Sequence, residues 1–433
     1  MNISIIAGEA SGDRVGGQLA RELLTLEPGV TLWGAGGKYL REAGVDVVLE
    51  TSGFGVVGIA SGLALLPKMV TARKRLLVEL KKRKPDVIVA IDAGAVHLGF
   101  GPWEGILPWA RKHLPNTKLF YYFPPGSWRR TLKYSTLGPV TDAVASPFEW
   151  NASELQRLGV NATWVGHPLL DLVKPSESME AFATRYGLDL DHPIVGLLPG
   201  SRRQEIRHIL PVQLQAASLI HRRVPGVQFV LALAPTVDRN EVVTCLERIR
   251  HQRIEQTDRH PGPKLPDNIV VADGSAEELV RRQRAWIERA GGEPGDGNFP
   301  LVIVEGATYD VMAVSDALIS TSGTATLEAA ILKKPMVIVY KLGPENAIEA
   351  HFVRKKVSMI GMPNLLAERI ICPEFIQENC KPEPIAQEVI GLLLEPERLM
   401  AMRAALVETI KLLGEPGGAA RAAKMVLELA NRD

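Results

Sequence analysis

Three turns in this chain gather residues able to bind a charged ligand or move a proton. The first is GEASGDRVGG at 8–17, directly after the apolar run that ends at Ala7. It lacks the full G-x-G-x-x-G order, and Glu9 and Asp13 would repel a pyrophosphate lying on a helix start. An acidic strand-to-helix turn suits sugar hydroxyls better, accepting their hydrogen bonds or withdrawing a proton. Ser11 and Asp13 serve equally well as plain caps of a helix running from Val15. The second turn is LLPGSRRQEI at 197–206, where Gly200 and Ser201 lead into Arg202 and Arg203. Two cations in a helix's first turn oppose its dipole, and a bound anion offsets that cost; a simple cap by Ser201 is the alternative. The third is STSGTATLEAAILKKPMVIVY at 320–340, where Ser322, Gly323 and Thr324 bring backbone N–H donors to a helix start. Glu328 lies one helical turn beyond Thr324 on the same face, suited to a ribose diol. Alone it would read as an ordinary solvated acid. Two phosphate-friendly turns in the same half of the chain move the balance toward a nucleoside diphosphate.

These turns need strands to hold them. ISIIA, DVIVAID, TKLFYYF, DAVAS and ATWVG read as buried strands, alternating with helices such as 15–27 and 65–82. The pattern pauses at 166–178, then resumes with PIVGLLPG, VQFVLALA, NIVVADG, LVIVEG, DALIST and PMVIVY. Such alternation predicts an α/β fold of two doubly wound, Rossmann-like parallel domains facing a cleft, with ligands at the strand ends. The expected boundaries are 1–170, then 171–381 with polar insertions near 251–300, then a helical tail at 382–433. Within the insertions, 251–268 and 289–300 are rich in Pro and Gly and flank a charged helix near 276–289.

At 433 residues and 46% hydrophobic, the chain can bury a core for two or three domains. A net charge of +1 argues against bulk nucleic-acid binding. Cys245, Cys372 and Cys380 lack metal-type spacing and read as reduced thiols. The chain enters a strand without a signal peptide, and no run reaches transmembrane length, so the expected location is cytoplasmic. One segment complicates that. FGVVGIASGLALLPKMV at 54–70 is almost wholly apolar, and up to residue 84 it is followed by basic residues opposed only by Glu79. An anionic membrane surface would suit residues 54–84, as would a core-packed crossover helix with a solvated back.

GEASGD, GHPL, LLPGSR, SGTATLE, PMVIVY and PNLL occur here in that order, and nearly the whole chain thereby resembles the lipid-A-disaccharide synthases, glycosyltransferases of the GT-B fold. The resemblance implies inverting transfer of 2,3-diacylglucosamine from UDP to 2,3-diacylglucosamine 1-phosphate, without metal or other cofactor. It implies that Arg202 meets the donor diphosphate, with Gly200 and Ser201 forming the turn and Ser322, Gly323 and Thr324 adding donors. Glu328 would bind the ribose, and Asn364 and Gln377 would line the same site. GEASGD would then belong to the acceptor side. The resemblance also favours peripheral attachment at 54–84 to the inner face of the cytoplasmic membrane. It allows a homodimer exchanging tail helices; a tail crossing back within one chain is the alternative.

Two departures fall on the acceptor side. Where the family usually has an IDAPDFN-like stretch, this chain reads IDAGAVH at 91–97, so Ala95 replaces the second acid and His97 stands in the asparagine's place. Asp92, His97, Glu9 and Asp13 remain as candidate bases. The next segment, PPGSWRR at 124–130, keeps Trp128 and offers Arg129 to an acceptor phosphate, or as part of a solvated helix start. These departures leave open an offshoot with another lipid acceptor, or a UDP-sugar- or lipid-binding homologue without catalysis.

Overall fold

In the first seven residues, period-2 alternation already separates two apolar layers: Ile3, Ile5 and Ala7 pack to one side of a sheet and Ile6 to the other. The computed structural model describes residues 1–51, 59–100, 103–124, 126–127, 135–235, 237–242, 244–245, 269–271, 299, 301–343 and 359–432. It divides into one unit of Met1–Leu172 with Lys411–Asp433 and another of Val173–Ile410.

The first unit's strands are β1 (Asn2–Ala7), β2 (Thr31–Gly36), β3 (Asp46–Glu50), β4 (Val87–Ile91), a short β5 (Gly99–Phe100) and β6 (Trp103–Glu104) ribbon, β7 (Lys118–Tyr122), β8 (Ala143–Ser146) and β9 (Ala162–Trp164). Among the described residues, seven of these form a parallel sheet ordered β3-β2-β1-β4-β7-β8-β9. The strand order reverses between β1 and β4, the place where such sheets bind ligands. β2 and β3 escape a propensity reading because glycine punctuates β2. Gly34 has φ +156° and sits beside a register shift; a Cβ there would lie 1.8 Å from the Ile5 carbonyl oxygen. The glycine that looks like a turn residue lets two strands approach.

The second unit contains β10 (Ile194–Leu198), β11 (Gln228–Leu233), β12 (Ile269–Val271), β13 (Leu301–Glu305), β14 (Ala317–Thr321), β15 (Met336–Tyr340) and β16 (Glu374–Ile376). These form a parallel sheet ordered β12-β13-β11-β10-β14-β15-β16, reversing between β10 and β14. The segments 251–268 and 276–289 lie outside the described residues, as do all but Phe299 of 289–299.

The tail does not behave as one piece from 382. Helices Pro382–Leu394 and Pro396–Ile410 belong to the second unit, whereas Gly418–Ala430 joins the first. The latter buries Ala422, Ala423, Val426 and Leu429 in the layer that includes the helix Ala10–Leu26. Its start is held by the Asp171 carboxylate, which accepts from Gly417 N–H (2.8 Å) and Gly418 N–H (3.2 Å). The 414–418 break thus lets the tail's last helix pack on its own chain's first unit.

The basic helix is also less exposed than its sequence implies. Residues 52–58 and the side chains of 59–69 lie outside the description. Beyond them, Arg83 pairs with Asp46 (2.6 Å) and Glu79 (2.8 Å) and lies over Trp33, while Lys81 sits 5.6 Å from the Trp109 ring centre. Lys74, Arg75, Lys82 and Lys84 remain exposed. No described helix is long and apolar enough to cross a membrane.

Candidate active site

In the first unit, the reversal point carries Glu9 and Ser11 after β1 and Asp92 after β4. Asp92 and Ala93 hold φ values of +51° and +39°, in the left-handed region that non-glycine residues rarely adopt. The Tyr121 hydroxyl donates to the Asp92 carbonyl at 2.5 Å and anchors this bend. Burial, then the neighbouring Glu9 carboxylate, push the Asp92 carboxyl up to about 6, against hydrogen bonds from Ala93 N–H and the Ser11 hydroxyl. Glu9 is the N-cap of the helix Ala10–Leu26, yet its side chain makes no capping bond. The structure therefore brings Glu9, Ser11 and Asp92 together.

Two other candidate bases are turned to structural work. Asp13 is buried, and its carboxylate accepts from the N–H groups of Gly37 (2.7 Å), Tyr39 (2.9 Å) and Leu40 (3.2 Å). It ties the first helix to the turn after β2 and does not cap its own helix. Asp13→Asn is expected to lower stability by about 1–3 kcal/mol, because one amide oxygen cannot serve three donors. Chemical denaturation would measure the loss, and the pH profile of activity should not move. His97 is fully buried, its Nε2 lies 3.1 Å from the Ile91 carbonyl, and its ring meets Tyr121 edge-on. Burial holds it down to about 4, so it is neutral at pH 7 and shut off from any acceptor. The GHPL histidine, His167, is likewise buried among Phe123 and Phe148, with burial lowering it to about 3. Trp128 and Arg129 lie outside the described residues.

In the second unit, the turns after β10 and β14 stand at that sheet's reversal point. Gly200 has φ +115°, and a Cβ there would lie 2.2 Å from Glu205 Oε2. That carboxylate folds back to accept from Ser201 N–H (2.8 Å) and Arg202 N–H (3.2 Å), while its other oxygen takes the Arg202 guanidinium at 2.8 Å. Arg203 pairs with Glu241 at 2.9 Å. The two cations that oppose the helix dipole are thus balanced by acids of the same chain, and Glu205 fills donors suited to an anionic ligand. Arg202, rather than Ser201, is the N-cap.

After β14, Ser322 spends its N–H on the Val339 carbonyl and its hydroxyl on the Ile360 carbonyl, so it braces the turn without offering a donor from either group. Gly323 and Thr324 are exposed at the start of the helix Thr324–Ile331, where first-turn N–H groups have no partner within the helix. Glu328 is buried and accepts from the Tyr309 hydroxyl at 2.7 Å. Gln377, just past β16, has φ +53°; its Oε1 accepts from Leu342 N–H and its buried Nε2 has no partner among the described residues. Asn364 does not fit its expected role. It is fully buried, its amide donating to the Cys372 carbonyl and Glu374 (2.7 Å each) and accepting from Ile371 and Cys372 N–H (2.8 and 2.9 Å). Its hydrogen-bonding capacity is spent on shaping the 371–374 loop.

Sequence reasoning missed Glu205, Tyr309 and Tyr121. The first has a signal, an acid three residues beyond the helix cap; the tyrosines contact partners distant in sequence and have none.

Sequence comparisons with known proteins agree on one family. A family model described as lipid-A-disaccharide synthetase matches residues 3–260 and 294–429. The lipid-A-disaccharide synthase of Syntrophus aciditrophicus is 32% identical over 99% of this chain and 98% of its own. That of Geobacter sulfurreducens is 32% identical over 99% and 97%. Among solved structures, Staphylococcus aureus MnaA with UDP is 13% identical (TM-score 0.57, covering 99% of this chain and 97% of that one), and Acinetobacter baumannii MurG is 14% identical (TM-score 0.50, 99% of each). These last two share the fold alone. With two parallel α/β units of GT-B type and a whole-length sequence match, the chain belongs to the lipid-A-disaccharide synthase family.

Proposed function

We propose that this chain transfers a 2,3-diacylglucosaminyl group from UDP to 2,3-diacylglucosamine 1-phosphate, giving the β-1,6-linked disaccharide and UDP. The observation that carries this reading is the whole-length match to lipid-A-disaccharide synthases. As a member of that family, the chain is a UDP-sugar-dependent glycosyltransferase.

The acceptor hydroxyl must lose its proton as its oxygen attacks the anomeric carbon. Asp92 takes that proton: near 6, its carboxyl is ionised at neutral pH yet still basic enough to accept. As the bond from the anomeric carbon to the UDP oxygen breaks, negative charge grows on the diphosphate. Arg202 and the Gly323 and Thr324 N–H groups stabilise it, without calling on a metal. Glu328, held by Tyr309, takes the ribose, and the Gln377 amide donates to the same nucleotide. Glu9 keeps Asp92 basic. Glu9→Gln should therefore shift the acid limb of the pH–rate profile downward, since a repelling charge is gone; an unmoved or raised limb would remove Glu9 from this role.

The deciding assay is UDP release by purified protein given UDP-2,3-diacylglucosamine, with and without 2,3-diacylglucosamine 1-phosphate. Release only with acceptor, yielding a product of disaccharide mass, is expected; acceptor-independent release or none at all would sink the reading. The Ala95 departure favours a second reading, transfer to a different lipid hydroxyl, which a panel of acceptors in the same assay distinguishes. An acylated substrate also calls for a lipid surface, and the exposed Lys74, Arg75, Lys82 and Lys84 suit anionic lipid at the inner face of the cytoplasmic membrane. Co-sedimentation with anionic vesicles, lost at high salt, is the expected behaviour.

A further inference from the structure

Near the Asp92 turn, the first unit contains a partly open recess of about 80 Å³ that the proton transfer leaves unused. Ile6, Ala35, Ala72, Leu76, Ala95 and Val96 line it, the last two from the short helix Gly94–His97 that follows Asp92. Its space comes from small residues: three of those six are alanines, at positions where a leucine would close the gap.

The recess also has one polar group that packing does not explain. Arg73, which lines it too, has a buried Nε that makes no hydrogen bond among the described residues. The other polar groups there are engaged, the Thr51 hydroxyl on the Ala7 carbonyl (2.7 Å) and Glu104 on Lys112 (2.6 Å), the Glu104 carboxylate also feeling the Arg73 charge. A buried donor without a partner is costly, and a ligand that brings an acceptor oxygen removes the cost. Among the described residues the recess is apolar with one buried, unpartnered N–H, and it complements an apolar chain with an oxygen at its head. Its volume is about half of the roughly 150 Å³ that admits benzene, so it takes a few methylenes and no ring.

We infer that this recess binds one acyl group of the acceptor, its first methylenes between Ala72 and Ala95 and its carbonyl oxygen on Arg73 Nε–H. The inference rests on the acceptor being an acylated sugar, as proposed above. Binding there anchors the acceptor beside the segment that carries Asp92, because Ala95 and Val96 follow it by three and four residues, so the acyl group helps to orient the sugar hydroxyl as well as to hold the lipid.

Two variants separate the apolar contact from the polar one. Ala72→Leu fills the recess, and Arg73→Met removes the donor while keeping an apolar side chain. Each is assayed with acceptors bearing acetyl or long acyl groups, read as kcat/KM or, for an acceptor that is not turned over, as its inhibition constant. UDP affinity serves as the control for folding. Ala72→Leu should weaken the long-chain acceptor about tenfold and leave the acetyl acceptor unchanged. Arg73→Met should weaken both, because both carry the carbonyl. Equal losses for both acceptors in Ala72→Leu, or no loss in either variant, would overturn the inference. Absence of turnover by the wild type with every acceptor would instead overturn the proposed reaction.

Discussion

Asp92→Asn should lower kcat by about 10²–10⁴-fold while leaving UDP affinity unchanged, because an amide can hold the acceptor hydroxyl but cannot take its proton. The wild-type rate should fall as pH drops through about 6, where the carboxyl protonates, and the variant should lack that limb. The same group links activity to stability. Its folded value, about 6, lies above the ordinary 3.8, so the folded state binds the proton more tightly than the unfolded chain. The stability this contributes is fully present below about pH 4, declines as pH rises, and is gone above about pH 6. At pH 7 the wild type therefore carries an ionised, partly buried carboxylate that Asn does not. Asp92→Asn should then be the more stable protein at pH 7, by an amount of order 2 kcal/mol, with the difference vanishing near pH 4. Denaturation at both pH values checks this. A variant that is inactive and also destabilised at pH 7 would mark Asp92 as structural.

Arg202→Ala should cost about 10²–10³-fold in kcat, the range seen when one pre-placed donor to a developing anion is removed. Part of the loss should come from Glu205. That carboxylate sits on the Ser201 and Arg202 N–H groups and is balanced by the Arg202 guanidinium at 2.8 Å. Without arginine it keeps the N–H donors and adds an uncompensated charge beside the diphosphate. Adding Glu205→Gln to Arg202→Ala should therefore recover part of the lost UDP affinity, and Arg202→Lys should fall between, because a point charge cannot make a forked contact. Steady-state kinetics with UDP titrations on the four proteins form the test. Unchanged kcat and UDP affinity in Arg202→Ala would place the diphosphate elsewhere.

Much of this was legible from pattern alone, for reasons that particular residues make plain. Runs such as DVIVAID and LVIVEG are buried on both faces, and only a parallel sheet covered by helices uses strands of that kind. The turns after β10 and β14 were legible as turns because glycine beside serine at a strand end, followed in the first by Arg202 and Arg203, has few other structural uses. The candidate bases were not separable in the same way. Asp13 and His97 have side chains as suitable for proton transfer as Asp92, but three N–H donors 24–27 residues downstream hold the first and apolar packing encloses the second. Such partners are set by tertiary packing, to which local sequence is blind. Asn364 misled for the same reason, its amide consumed by a loop eight residues away. The tail's division after Ile410 depended on which apolar surface each helix meets.

Whether Asp92 is the base is decided by the pH dependence of acceptor-dependent UDP release by the wild type and Asp92→Asn, measured side by side under saturating donor. The wild type is expected to show an acid limb near pH 6, and the variant to be at least about 10²-fold slower with no such limb. A variant as active as the wild type, or one that keeps the same limb, would contradict that role.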